Sequence, residues 1–113
     1  LEALAAHPVV TFSRDTRPYL AIRELFSRPG LPPIHIHASA SLATILRMAE
    51  DGLGVAAIPS PIAADRLTAG QLKRVDTMVS LPDLDFVAAW RSTPDTATIE
   101  AVADLAGTVA AGC

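Results

Sequence analysis

Strand-like runs in this 113-residue chain end in polar, turn-prone loops, and each of those loops opens a helical pattern. That alternation constrains the fold more than any bulk property does. A β-α-β-α order with short loops implies right-handed crossovers and a mostly parallel sheet. Such a sheet is covered by helices on both faces, so its strands read as continuous apolar runs. The predicted fold class is therefore α/β, a three-layer open sheet with helices on both sides. In sheets of this kind small ligands bind where strands end and helix N-termini point into the crevice.

Val9-Val10-Thr11-Phe12 is a β-branched run with the character of a buried strand. Ser13 to Arg17 is polar loop, and Pro18 starts a helix in which Ile22, Leu25 and Phe26 share one face. Pro29-Gly30 and Pro32-Pro33 end it, after which Ile34 and Ile36 alternate with His35 and His37 at strand period.

The segment Ser39 to Pro59 is the most sharply punctuated. Ser41 is placed to cap a helix whose Leu42, Ile45, Leu46, Ala49 and Leu53 follow helical spacing, with Arg47 able to pair with Glu50 or Asp51. Gly52 supplies a left-handed stop, and Gly54 a tight turn into the buried strand Val55–Ile58. Ser60-Pro61 opens a further helix to about Leu67, ended by Gly70. Leu72–Val75 is a weaker strand pattern and Leu84–Trp90 a stronger one. Thr93-Pro94 then precedes a final helix with an apolar stripe of Ile99, Val102, Ala103, Ala106 and Val109.

Half the residues are hydrophobic but only 4% are aromatic, so the core is built from Val, Ile, Leu and Ala. A net charge of -3 carries no electrostatic footprint for nucleic acid. The lone cysteine, Cys113, leaves no internal disulfide to form. No apolar run reaches the roughly 18 residues of a membrane span. The first residue is Leu1 rather than Met, inside what reads as a helix end, so the chain is expected to be a piece of a longer protein.

If the strands are parallel, their C-terminal loops share one sheet edge. Those loops carry Ser13, Arg14, Thr16 and Arg17, then Ser39 and Ser41, then Ser60. Hydroxyls, helix-start amides and arginines together suit a carboxylate, which an arginine grips in bidentate fashion. Each residue also has a purely structural reading: serines before helices cap them, and loop arginines are solvated. Other chemistries have less behind them. His35 and His37 lack a third metal ligand nearby, no Gly-x-Ser-x-Gly elbow marks a hydrolase, and no glycine-rich phosphate loop is present. No cofactor and no catalytic residue is expected.

Thr-Phe-Ser-Arg-Asp-Thr-Arg-Pro-Tyr (Thr11 to Tyr19), the segment Ser41 to Pro59 and Phe-Val-Ala-Ala-Trp-Arg (Phe86 to Arg91) together resemble LysR-type transcriptional regulators. The likeness lies in their C-terminal effector-binding region and extends over nearly the whole chain. It implies a lobe of the periplasmic-binding-protein type II kind. Residues 1–92 would be the second lobe, and 93–113 a C-terminal helix that rests on the first lobe. The loop Ser13, Arg14, Thr16, Arg17, Pro18 and Tyr19 would face an inter-lobe cleft, with Ser39 and Ser41 at its rim and Pro59 on the hinge side.

The resemblance further implies a small-molecule effector, an organic acid in character, sensed in the cytoplasm without catalysis. DNA would be bound only through an N-terminal winged helix-turn-helix outside this chain, with a homodimeric fragment and a tetrameric parent. With the first lobe missing, effector binding by this chain alone is expected to be weak. The last helix would expose its stripe, driving dimerisation or a refolded placement. Two other readings remain: a lobe of an extracytoplasmic solute-binding protein with the same fold, and, more distantly, a small hydrolase using Ser39 with His37.

Overall fold

Val9–Phe12 (β1) is the middle strand of a three-stranded sheet, flanked by Ile36–Ser39 (β2) and Val55–Ala56 (β3) in the order β2-β1-β3. The structure, a computed structural model, describes residues 1–112, and Cys113 lies outside them. Both pairings are parallel, as the alternating pattern predicts, with Val9 in register with Ile36 and Val55 and Phe12 with Ser39. A short helix α1 (Glu2–Ala5) leads into β1.

Helix α2 (Arg17–Phe26) carries the chain from β1 outward to β2, and α3 (Leu42–Glu50) carries it back past β1 to β3. Crossovers of one hand that run in opposite directions must lie on opposite faces of the sheet. Packing agrees with this. Val9 clusters with Ala5, Ile22 and Phe26, so α1 and α2 cover one face. Val10 points to the other face, where α3 packs on β1 and β3, and Val10 and Ile45 have no exposed surface. Each such aliphatic side chain contributes about 2 kcal/mol by leaving water.

Local chemistry ends α3 as the glycine pattern predicts. Gly52 has φ +74°, its N–H donates to Ala49 O at 3.1 Å, and Leu53 N–H donates to Met48 O at 2.9 Å. These paired bonds satisfy the last carbonyls of the helix. Gly54 serves a different purpose from the tight turn predicted for it. A Cβ there would lie 2.6 Å from Pro8 O, so its small size is what lets the chain enter the sheet beside β1. Arg47 pairs with Asp51 at 2.9 Å, while Glu50 pairs instead with Arg66 of α4 (Ala64–Thr68), tying two helices together.

Elsewhere the structure departs from the sequence reading. β2 begins at Ile36, two residues after the alternation starts at Ile34. The helix from Ser60 begins as a 3-10 turn, Ser60–Ala63, before continuing as α4. β3 is short, although Ala57 N–H still donates to Val10 O at 2.9 Å. Neither Leu72–Val75 nor Leu84–Trp90 is a strand. Both have the composition, but β propensity acts through neighbours, and neither stretch pairs with a strand of the sheet. Phe86 and Val87 are accordingly 82% and 90% exposed.

The final helix, α5 (Ala97–Ala111), starts three residues beyond Pro94, with Thr96 Oγ1 donating to Glu100 Oε1 at 3.2 Å. None of its residues is buried, and Ile99, Val102 and Leu105 are exposed. It has not refolded onto the sheet. The chain is correspondingly extended, with a radius of gyration of 17.1 Å. A compact domain of this length would have about 13 Å.

Candidate functional site

Parallel pairing brings the C-terminal ends of all three strands to one edge, and the helix directions decide where along that edge a ligand fits. The loop after β1 turns towards one face and the loop after β2 towards the other. Neighbouring strands whose loops diverge in this way leave a crevice between them. Its floor is the Phe12–Ser39 register pair, with strands about 5 Å apart. The N-termini of α2 and α3 stand on its two walls.

On the first wall, Ser13 O accepts both the Thr16 N–H at 3.3 Å and the Thr16 hydroxyl at 2.6 Å, closing a tight turn. Asp15 takes φ +67° within it, a left-handed conformation that Asp tolerates better than most residues. Because the Thr16 hydroxyl is turned back to Ser13, it does not cap α2. Pro18 has no N–H, and the N–H groups of Arg17 and Tyr19 have no hydrogen-bond partner among the described residues. Arg14 and Arg17 are exposed, and neither forms an ion pair among the described residues.

On the second wall, Ser41 caps α3, accepting from Thr44 N–H at 3.3 Å, and Ser39 Oγ accepts from Ser41 N–H at 3.1 Å. These two hydroxyls therefore do structural work, as their bland reading predicts. The N–H groups of Leu42 and Ala43 are left without a partner among the described residues. The sequence points to helix-start amides as a class but does not single out these two. The signal that finds them is the cap itself, since a single capping hydroxyl satisfies one of the orphan donors of a helix start.

The arrangement collects unpaired amides, two unpaired guanidinium groups and the positive ends of two helix dipoles around one crevice. It suits an anion with planar oxygens. Of the residues singled out from sequence, Ser13, Arg14, Thr16, Arg17 and Pro18 meet at the first wall, and Ser39 and Ser41 at the second. Tyr19 sits elsewhere: its side chain is buried in the core, 8% exposed, and only its amide belongs to the helix start. Ser60 stands at the far end of the edge, after β3.

A groove of about 1010 Å³ lies beside the crevice rather than over it. It runs along the α2 face between Val55–Pro59 and Lys73–Leu84, with Phe12, Arg17 and Pro18 at its upper end. Arg17 therefore borders both spaces. His37 makes no hydrogen bond to Ser39 among the described residues, and Ser39 Oγ bonds instead to the Ser41 backbone. Among the described residues no group of three or more His, Cys, Asp or Glu is placed to hold a metal ion. Nor is any described helix long and apolar enough to cross a membrane.

Comparison with known proteins bears on the same architecture. Neither the curated proteins nor the solved structures compared with it give a match. A family model described as the LysR substrate binding domain matches residues 1–111. That match, with the parallel α/β sheet, identifies a fold of the periplasmic-binding-protein type II kind and the effector-binding region of LysR-type transcriptional regulators. The chain belongs to the LysR substrate-binding domain family.

Proposed function

We propose that this chain is the second lobe of the effector-sensing region of a LysR-type regulator, binding a small organic acid in a cleft between two lobes. The observation that carries this reading is the crevice between β1 and β2. Four unpartnered amides, of Arg17, Tyr19, Leu42 and Ala43, surround it beside the unpaired Arg14 and Arg17. Arg17 is the principal carboxylate clamp, Arg14 adds charge, and Ser13, Thr16, Pro18, Ser39 and Ser41 shape the rim. Tyr19 acts through its backbone.

In this reading residues 1–92 form the lobe, and α5 rests on the first lobe, which covers its exposed Ile99, Val102 and Leu105. The chain senses its ligand and does not transform it. The parent acts in the cytoplasm as a tetramer built from homodimers and meets DNA through a winged helix-turn-helix. Effector binding shifts the lobe-closure equilibrium, and with it the subunit geometry presented to DNA.

Replacing Arg17 with Ala in the full-length regulator tests this. Loss of a bidentate charge-assisted contact should weaken effector binding about tenfold or more by calorimetry. Thermal stability without effector should be unchanged, because Arg17 is exposed and unpaired. Unchanged affinity and induction would mean that the site lies elsewhere.

A further inference from the structure

The groove beside the crevice is apolar along its walls and ends in a cation that forms no ion pair among the described residues. Pro18, Ala21, Ile22, Leu25 and Phe26 all line it and recur at helical spacing, so a single face of α2 makes one wall. The run Val55–Pro59, half-buried at every position, makes another, and Leu81 and Leu84 stand on the far side. From Arg17 to Phe26 the α2 wall is about 14 Å long.

Charge is distributed unevenly around this space. On the Lys73–Leu84 side the charged residues are Lys73, Arg74, Asp76 and Asp83, two of each sign and all exposed, so that side carries no net charge. Arg17, at the end next to the crevice, stands at the positive end of the α2 dipole. Ligand pockets have this character: mostly apolar walls, with a few polar groups that fix orientation. At about 1010 Å³ the groove has room for more than a small polar acid.

We propose that the effector is an amphipathic monocarboxylic acid, its carboxylate held by Arg17 at the crevice and its aliphatic body laid along the groove against α2 and β3. This deepens the reading of Arg17 as the carboxylate clamp and rests on it. At the Arg17 end the head group meets a guanidinium and unpartnered amides. Farther along, a carboxylate would leave water for aliphatic walls with no compensating hydrogen bond. The apolar body has the opposite preference, since it covers side chains that are only half-buried without it. The same walls select against a dicarboxylate, whose second charge would lie among them.

Titration calorimetry of the full-length regulator with straight-chain acids from butanoate to octanoate tests it. Affinity should rise about fourfold with each added methylene, as expected when a CH2 group leaves water. Ala21→Phe, which fills the groove from the α2 wall, should flatten that rise. Leu84→Ser, on the opposite side, should reduce it and serves if the first variant does not fold. Arg17→Ala should weaken every acid by a similar factor and leave the rise intact. Affinity that stays flat or falls with chain length, while Arg17→Ala still weakens butanoate, would overturn this inference and leave the clamp standing. So would a rise that neither groove variant alters, because the aliphatic body then lies elsewhere. An Arg17→Ala protein that binds all the acids as the parent does would remove the clamp, and this inference with it.

Discussion

A methyl group added at Gly54 would lie 2.6 Å from the Pro8 carbonyl oxygen and 3.1 Å from the Val10 side chain. The nearer of these atoms is backbone in the entry to β1, so Gly54→Ala must push strands apart rather than turn a flexible side chain. The expected loss is about 2 kcal/mol, read from the urea midpoint. Ser41→Ala removes one capping bond from an exposed helix start and should cost about 1 kcal/mol in the same measurement. Sequence made the cap legible, because Ser before an apolar helical stripe has few other uses. It did not make the Gly54 contact legible, because a close approach between Gly54 and Pro8 depends on tertiary placement. Tyr19 illustrates the same limit: its neighbours Arg17 and Pro18 stand at the crevice, but the helix turns its ring into the core.

At the scale of elements, what could be read in advance was whatever local chemistry decides. Helices α2 and α3, their start signals and the Gly52 stop are encoded by residues adjacent to them in sequence. Strands are different, since a strand exists only when a neighbour supplies hydrogen bonds. That is why Val9–Phe12 pairs on both sides while Leu84–Trp90, no less strand-like in composition, stands alone. α5 belongs to the same class, a helix held by its own ladder and by no core. A helix of 15 residues carrying Gly107 and lacking tertiary support is marginal in water. Its amides should therefore exchange faster than those of α3 in this chain. Val102→Asp and Leu105→Asp should each change unfolding stability by less than about 0.5 kcal/mol, because both positions are already exposed. A loss of several kcal/mol at either site would show that α5 packs against the sheet.

For the whole molecule, the order β2-β1-β3 sends the two crossovers in opposite directions, and their fixed hand then puts α2 and α3 on opposite faces, which generates the crevice. The position of the candidate site was accordingly legible as a set of loops, Ser13 to Tyr19 and Ser39 to Ser41. The backbone amides of Leu42 and Ala43 came only with the structure. The central claim is that the anion-seeking groups around the β1/β2 crevice receive the effector. Its most direct test is to titrate the protein with a panel of small mono- and dicarboxylic acids while following backbone amide resonances. Saturable shifts should concentrate at Ser13–Tyr19 and Ser39–Ala43 and be lost in Arg17→Ala. Shifts confined to the groove residues Ala57–Pro61, or unaffected by that substitution, would contradict it.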